Sequence, residues 1–184
     1  NSMLKELTIE ENPDVTPAGW MNFAAVLRNP TSALEFIEAS HDSINDEVVH
    51  TFADALSENK TLEELYLGIC PPEYGCKITS YGYAAMNNML CNTSSILSTF
   101  NSNHTLEIIC HESVEYYEFY RSIGNEVLSL LKINRECSVS EAARLKIINT
   151  HFSGSEINMR PFMEMNLSVR PHAIAWMARE DNVY

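Results

Sequence analysis

Apolar residues along the first hundred positions follow two alternating rhythms. The first is a short stretch with Leu-type residues at its first, fourth and sixth places: Leu4-Lys-Glu-Leu7-Thr-Ile9, Leu34-Glu-Phe-Ile37-Glu-Ala39, Leu62-Glu-Glu-Leu65-Tyr-Leu67 and, more weakly, Leu97-Ser-Thr-Phe100-Asn-Ser102. Its last two apolar places stand two apart, as a strand with one buried face requires. The second rhythm has helical spacing: Trp20, Phe23, Ala24 and Leu27; then Ile44, Val48, Phe52, Ala53 and Leu56; then Ile78, Tyr81, Tyr83, Ala84, Met86 and Leu90. Strand and helix therefore alternate as β–α units.

The units repeat. Leu4 to Leu34 is 30 residues, Leu34 to Leu62 is 28 and Leu62 to Leu97 is 35, the long third interval carrying a Pro71-Pro72 insertion. Each helical stretch ends in an Asn-bearing tag, at Asn29, Asn59 and Asn92. Asn tolerates the left-handed backbone that closes many helices, which accounts for its place there. One such unit cannot bury its own apolar face, so neighbours must stack. The fold class expected is α/β: a solenoid with a curved parallel sheet and outer helices.

The L-x-x-L-x-L stretches, their period and their helices resemble the ribonuclease-inhibitor-like class of leucine-rich repeats over about residues 4–110. Unit two departs at Ala39 and unit four at Ser102, and Asn12 of unit one recurs only loosely as His41. The resemblance implies a horseshoe whose concave face is lined by the strand residues between the buried positions.

The repeat stops near Glu112. The organisation expected is leucine-rich repeats over 1–111, about four units, and an all-helical C-terminal cap over 112–184. Residues 115–136 read as a helix with Tyr116, Phe119, Tyr120, Ile123, Val127, Leu128 and Leu131 on one face. Ser138 and Glu141 have capping-box spacing before a second helix that runs to His151-Phe152. Pro171–Arg179 reads as a last amphipathic helix with Trp176 buried. The segments Ala143-Arg144, Lys146-Ile147, His151-Phe152 and Pro171-His172-Ala173-Ile174-Ala175-Trp176 resemble a tail found in leucine-rich-repeat proteins predicted from diatom genomes, a likeness that implies no activity. Asn1 in place of Met, and no end signal at Tyr184, are what a piece of a longer protein would show.

Charge sharpens the picture. The 184 residues carry a formal net charge of −13. Residues 1–100 contribute −10 and residues 101–184 contribute −3. An acidic surface repels phosphate backbones and favours a basic peptide or protein, so no nucleic-acid partner is expected. No apolar run approaches the roughly 20 residues of a membrane-spanning helix, and no membrane partner is expected. Five scattered cysteines (Cys70, Cys76, Cys91, Cys110, Cys137) read as reduced thiols of a cytoplasmic protein, with a Cys70–Cys76 loop disulfide as the lesser alternative.

Candidate chemistry is sparse. Six His are present, but no pair has i, i+4 metal-ligand spacing, and there is no Cys-x-x-Cys. Cys110-His111 adjacency alone is weak. No Gly-rich phosphate loop or G-x-S-x-G stretch occurs. Neither cofactor nor metal nor catalytic residue is expected. What remains is a partner surface. Stacking would align Glu6, Phe36, Glu64 and Thr99 in one column, Thr8, Glu38, Tyr66 and Asn101 in a second, and Glu10, Ser40, Gly68 and Asn103 in a third. The expected partner-binding residues are Glu6, Thr8, Glu10, Phe36, Glu38, Glu64, Tyr66 and Asn101, with the 71–76 loop as a second place. The function expected is a non-catalytic protein-binding scaffold. The alternative is the substrate-recognition part of a larger enzyme or ubiquitin-ligase-type assembly.

Overall fold

A computed structural model describes residues 3–9, 12, 14–29, 31–39, 43–67, 77–109 and 125–152. They form a mixed α/β structure. Strands β1 (Glu6–Thr8), β2 (Phe36–Ala39) and β3 (Glu64–Leu67) make one parallel sheet in sequence order. Helices α1 (Pro17–Leu27), α2 (Asp46–Glu58) and α3 (Ser80–Leu90) follow the strands in turn. They pack side by side, α1 on α2 and α2 on α3. A short helix α4 (Ile96–Phe100) and the longer α5 (Asn125–Glu136) and α6 (Val139–His151) complete the described elements.

Strand register is in phase from unit to unit. Glu6 pairs with Phe36 and Phe36 with Glu64; Thr8 pairs with Glu38 and Glu38 with Tyr66. Each strand enters by the same forked contact. The Lys5 carbonyl accepts from the amides of Glu35 (2.8 Å) and Phe36 (3.1 Å), and the Glu35 carbonyl from those of Glu63 (2.8 Å) and Glu64 (3.0 Å). The Glu63 carbonyl accepts likewise from Glu107 (2.7 Å) and Ile108 (3.2 Å).

That last contact corrects the expected fourth unit. Leu97–Ser102 is not a strand. Ser95 caps α4 there, its hydroxyl accepting from the Ser98 amide at 3.0 Å. The residue that bridges Glu64 is Ile108. Asn103-His-Thr-Leu106 is the counterpart of Asn59-Lys-Thr-Leu62, so the third interval is Leu62 to Leu106 and takes in α3 and α4. Serines after Asn92 act as a helix start, because a Ser hydroxyl satisfies amides that a strand would have paired.

The core lies between the sheet and the helix row. Ile37, Ala39, Leu65 and Leu67 point into it from the strands, with Trp20, Leu27, Phe52, Leu56, Met86 and Leu90 from the helices. Tyr81, expected on the buried face of α3, is 64% exposed. The buried stripe there is Gly82, Met86, Met89 and Leu90. Gly82 lets α3 approach α2 closely: a Cβ on it would stand 2.6 Å from Oδ1 of Asp46. That carboxylate accepts from the amides of Thr79 (2.7 Å) and Gly82 (3.1 Å) and so holds the start of the next unit's helix. Burial pushes the Asp46 carboxyl up, but these bonds, that from the Thr79 hydroxyl, and the charge of His50 outweigh it and hold it low.

Asparagine does more at the helix ends than the sequence suggested. Asn59 has φ −77°, not the left-handed value expected of it. Its buried amide works instead. Nδ2 of Asn59 donates to the Leu27 carbonyl at the end of α1 (2.8 Å), while Oδ1 accepts from the Leu62 amide (2.8 Å). Asn103 repeats this one layer on, from Nδ2 to the Leu56 carbonyl (2.8 Å) and from the Leu106 amide to Oδ1 (2.8 Å). Each side chain thus gives a donor to a carbonyl in the last turn of a helix and sets the entry of the next strand.

Helices α5 and α6 close over this stack. Val127 and Leu131 of α5 are buried in the core. The Glu141 carboxylate accepts from the Ser138 amide at 2.9 Å, the arm of the capping box that the spacing predicts. The buried face of α6 holds Ala142, Ala143 and Ile147 together with Arg144, Lys146 and His151. The last helix with Trp176, the Pro71-Pro72 loop, and Cys70, Cys76 and Cys110 lie outside the described residues. Cys91 is a buried free thiol. Among the described residues no helix is long and apolar enough to cross a membrane.

Candidate functional site

The strands alternate inward and outward, so one face of the sheet is left to side chains that the core does not use. In-phase register puts Glu6, Phe36 and Glu64 in one row on that face and Thr8, Glu38 and Tyr66 in the next. Phe36, Glu38, Glu64 and Tyr66 are half-buried, and Glu6 and Thr8 are exposed. Phe36 and Tyr66 meet on the diagonal, with ring centroids 5.3 Å apart and planes at 43°. The Tyr66 hydroxyl donates to Oε2 of Glu64 at 2.9 Å, which fixes both the ring and the carboxylate. The result is an aromatic platform edged by carboxylates.

Two expected members are placed elsewhere. Thr99 is fully buried in α4, where its hydroxyl meets Nε2 of His151 at 2.9 Å. Asn101 ends α4, its amide donating to the Leu97 carbonyl at 3.0 Å, and it stands on the helical side of the molecule. Both follow from the misplaced fourth unit. Asn103 is likewise buried rather than facing out. Glu10, Ser40 and Gly68 lie outside the described residues.

The face has members that sequence reading missed. Ile108 continues the Glu6–Phe36–Glu64 row. Lys5, Glu35, Glu63 and Glu107 border it at the strand entries. Lys5 and Glu35 form an ion pair at 2.6 Å. Partial burial, and then the like charge of Glu63, raises the Glu107 carboxyl, with Arg135 opposing and Glu64 adding. The signal for Glu107 and Ile108 was the Asn-x-Thr-Leu tag at 103–106, a closer match to Asn59–Leu62 than the one starting at Asn92.

Among the described residues no three His, Cys, Asp or Glu converge as metal ligands. His104 and Lys146 are the strongly perturbed groups. Burial, then the charges of Lys146 and Lys60, lowers His104 to about 4. Burial lowers Lys146 to about 7, with Cys91 opposing and Lys60 adding. Perturbed groups often mark active sites. These two are buried among helix carbonyls, however, and Lys146 donates to Leu90 (2.9 Å) and Asn103 (3.1 Å). Their surroundings explain them structurally.

Compared with family models, curated proteins and solved structures, the chain gives no match.

Proposed function

We propose that this chain is a leucine-rich-repeat module of the ribonuclease-inhibitor-like kind, and a non-catalytic scaffold that binds a basic protein segment on its outward sheet face. The observation that carries the reading is the tilted Phe36–Tyr66 pair, 5.3 Å between centroids, with the Glu64 carboxylate tied to the Tyr66 hydroxyl. Aromatic faces attract Lys and Arg, and neighbouring carboxylates select for them. Half-buried aromatics fixed in this way also lose little freedom on binding. The repeated strand entries, the Asn pairs at successive helix ends and the in-phase register support the repeat reading. We place the protein in the cytoplasm, on the free, buried Cys91 thiol.

The test is parallel affinity capture with the wild-type protein and a Phe36→Ala/Tyr66→Ala double variant. A partner with a Lys/Arg-rich segment, retained by the first and lost by the second, is expected. Equal recovery of every basic partner by both baits would place the binding surface off this face.

A further inference from the structure

The outward sheet face is a checkerboard. Phe36 and Tyr66 occupy one diagonal and Glu38 and Glu64 the other, because Phe36 pairs with Glu64 and Glu38 with Tyr66. On its other side Phe36 pairs with Glu6. Phe36 is thus flanked in register by Glu6 and Glu64, at the interstrand spacing of about 4.8 Å on each side. Tyr66 has Glu38 beside it across the strands, and its hydroxyl donates to Oε2 of Glu64 at 2.9 Å. Lys5, at the entry of β1, is paired with Glu35 at 2.6 Å.

The rings limit what can sit on them. With centroids 5.3 Å apart and planes at 43°, they touch. No slot opens between them for a compact ammonium, and what they offer is a joined outer surface. A cation there must lie against the rings and reach carboxylates to the side. Lysine presents a compact, strongly hydrated head whose N–H groups diverge. Arginine presents a flat, weakly hydrated head with its N–H groups in the plane. Only the second can keep a face on a ring while donating outward to a carboxylate on either side.

Resting on the sheet-face reading above, we infer that the basic segment is held there through arginine rather than lysine. One guanidinium stacks against Phe36, where the Tyr66 ring meets it, and its edge N–H groups donate to Glu6 on one side and Glu64 on the other. The Tyr66 hydroxyl keeps the Glu64 carboxylate in place for this contact.

Fluorescein-labelled tetra-arginine and tetralysine, titrated with the protein at one low salt concentration and read by fluorescence polarisation, test it. The two peptides carry equal charge, so long-range attraction is common to both and the difference reports the head group. Tetra-arginine is expected to bind about two- to fivefold more tightly. A Phe36→Leu/Tyr66→Leu variant keeps apolar bulk and removes the ring faces, so it should lose that preference. Proton NMR of unlabelled tetra-arginine with the wild-type protein should also show the δ-methylene protons moved upfield by the rings, a readout that needs no variant. Tetralysine bound as tightly as tetra-arginine, with both weakened in the variant, overturns the arginine inference and leaves the sheet-face reading standing. A preference that survives the loss of the rings reflects the acidic surface at large and also overturns it. Affinities for both peptides that are unchanged in the variant, or no binding of either, overturn the sheet-face reading and this inference with it.

Discussion

Lys146 does for Leu90 what Asn103 does for Leu56. Nζ of Lys146 donates to the Leu90 carbonyl at the end of α3 at 2.9 Å, and Nδ2 of Asn103 donates to the Leu56 carbonyl at the end of α2 at 2.8 Å. Asn59 does the same for Leu27 at the end of α1. The third carbonyl in the series is thus taken by a lysine from α6 in place of an asparagine from the next strand entry. A second bond from Nζ to the Asn103 carbonyl, at 3.1 Å, ties α6 to the segment that leads into Ile108.

The asparagine rungs should therefore be costly to remove. Asn103→Ala strips the acceptor from the Thr105 and Leu106 amides and one donor from the Leu56 and Asn59 carbonyls, of which the first keeps the Asn59 amide at 3.1 Å. All of this happens in a fully buried site. Leaving buried groups unsatisfied costs about 1–3 kcal/mol each, with relaxation and water recovering part. A loss of about 2–4 kcal/mol in urea unfolding is expected. A loss under about 1 kcal/mol would show that backbone pairing alone sets the strand entry.

Lys146 should make stability depend on alkaline pH. Burial holds its folded value near 7, against 10.5 as the ordinary one. A depressed base disfavours folding while the unfolded chain is protonated. Its penalty is full below pH 7, shrinks as pH rises, and is gone above 10.5. Stability from this group should thus rise between pH 7 and 10.5, by a few kcal/mol at most, because each tenfold change in proton affinity is worth about 1.4 kcal/mol. Lys146→Met should lack that rise. Urea midpoints of both proteins at pH 7 and pH 10 check it, and parallel changes in the two would refute it.

On the acid side the same cluster acts through His104. Its ring is buried, Nε2 lies 3.1 Å from the Phe100 carbonyl, and the cationic Lys146 and Lys60 stand near it. The folded value is about 4, against an ordinary 6.5. Stability from neutral His104 is complete above pH 6.5 and is lost as pH falls from there to 4, by at most about 3 kcal/mol. His104→Gln should flatten that part of the acid limb in a series of urea titrations between pH 7 and 4. An unchanged limb would mean that the ring takes its proton without opening the cluster.

The three strands and the helices after them were legible because their apolar spacing switches from two to helical and back, a pattern only buried faces impose. Unit four was misread because Leu97 and Phe100 fit a strand template as well as they fit one helical turn. What decides between them is Ser95, whose hydroxyl captures the Ser98 amide. The lysine under Leu90 was not legible. A Lys in a helix pattern reads as solvated, and only the tertiary meeting of α6 with the end of α3 gives it carbonyls to replace water. Of the proposed face, Glu6, Thr8, Phe36, Glu38, Glu64 and Tyr66 follow from strand parity, since neighbours in phase repeat which side they show. Ile108 needed the corrected register, and the Tyr66–Glu64 bond needed side-chain coordinates.

The proposed face predicts a division of labour in binding kinetics. Glu38 and Glu64 stand in adjacent rows, and the Phe36 and Tyr66 rings meet between them. These charges lie in a half of the chain that carries −10. Charges near the surface act at a distance and are screened over about 10 Å at 0.1 M salt, so they govern encounter. The rings act only on contact, so they govern how long the complex lasts. Reversing Glu38 and Glu64 to Lys should therefore slow association of a captured basic partner, while leaving dissociation nearly as it was. Phe36→Ala and Tyr66→Ala should speed dissociation, about tenfold or more if either ring is an energetic anchor. Tyr66→Phe separates the two effects: it keeps the ring but frees the Glu64 carboxylate, and it should cost less than Tyr66→Ala. Surface plasmon resonance at two salt concentrations reads both rates. A partner whose association ignores salt and the double reversal, and whose dissociation ignores the ring deletions, binds somewhere other than this face.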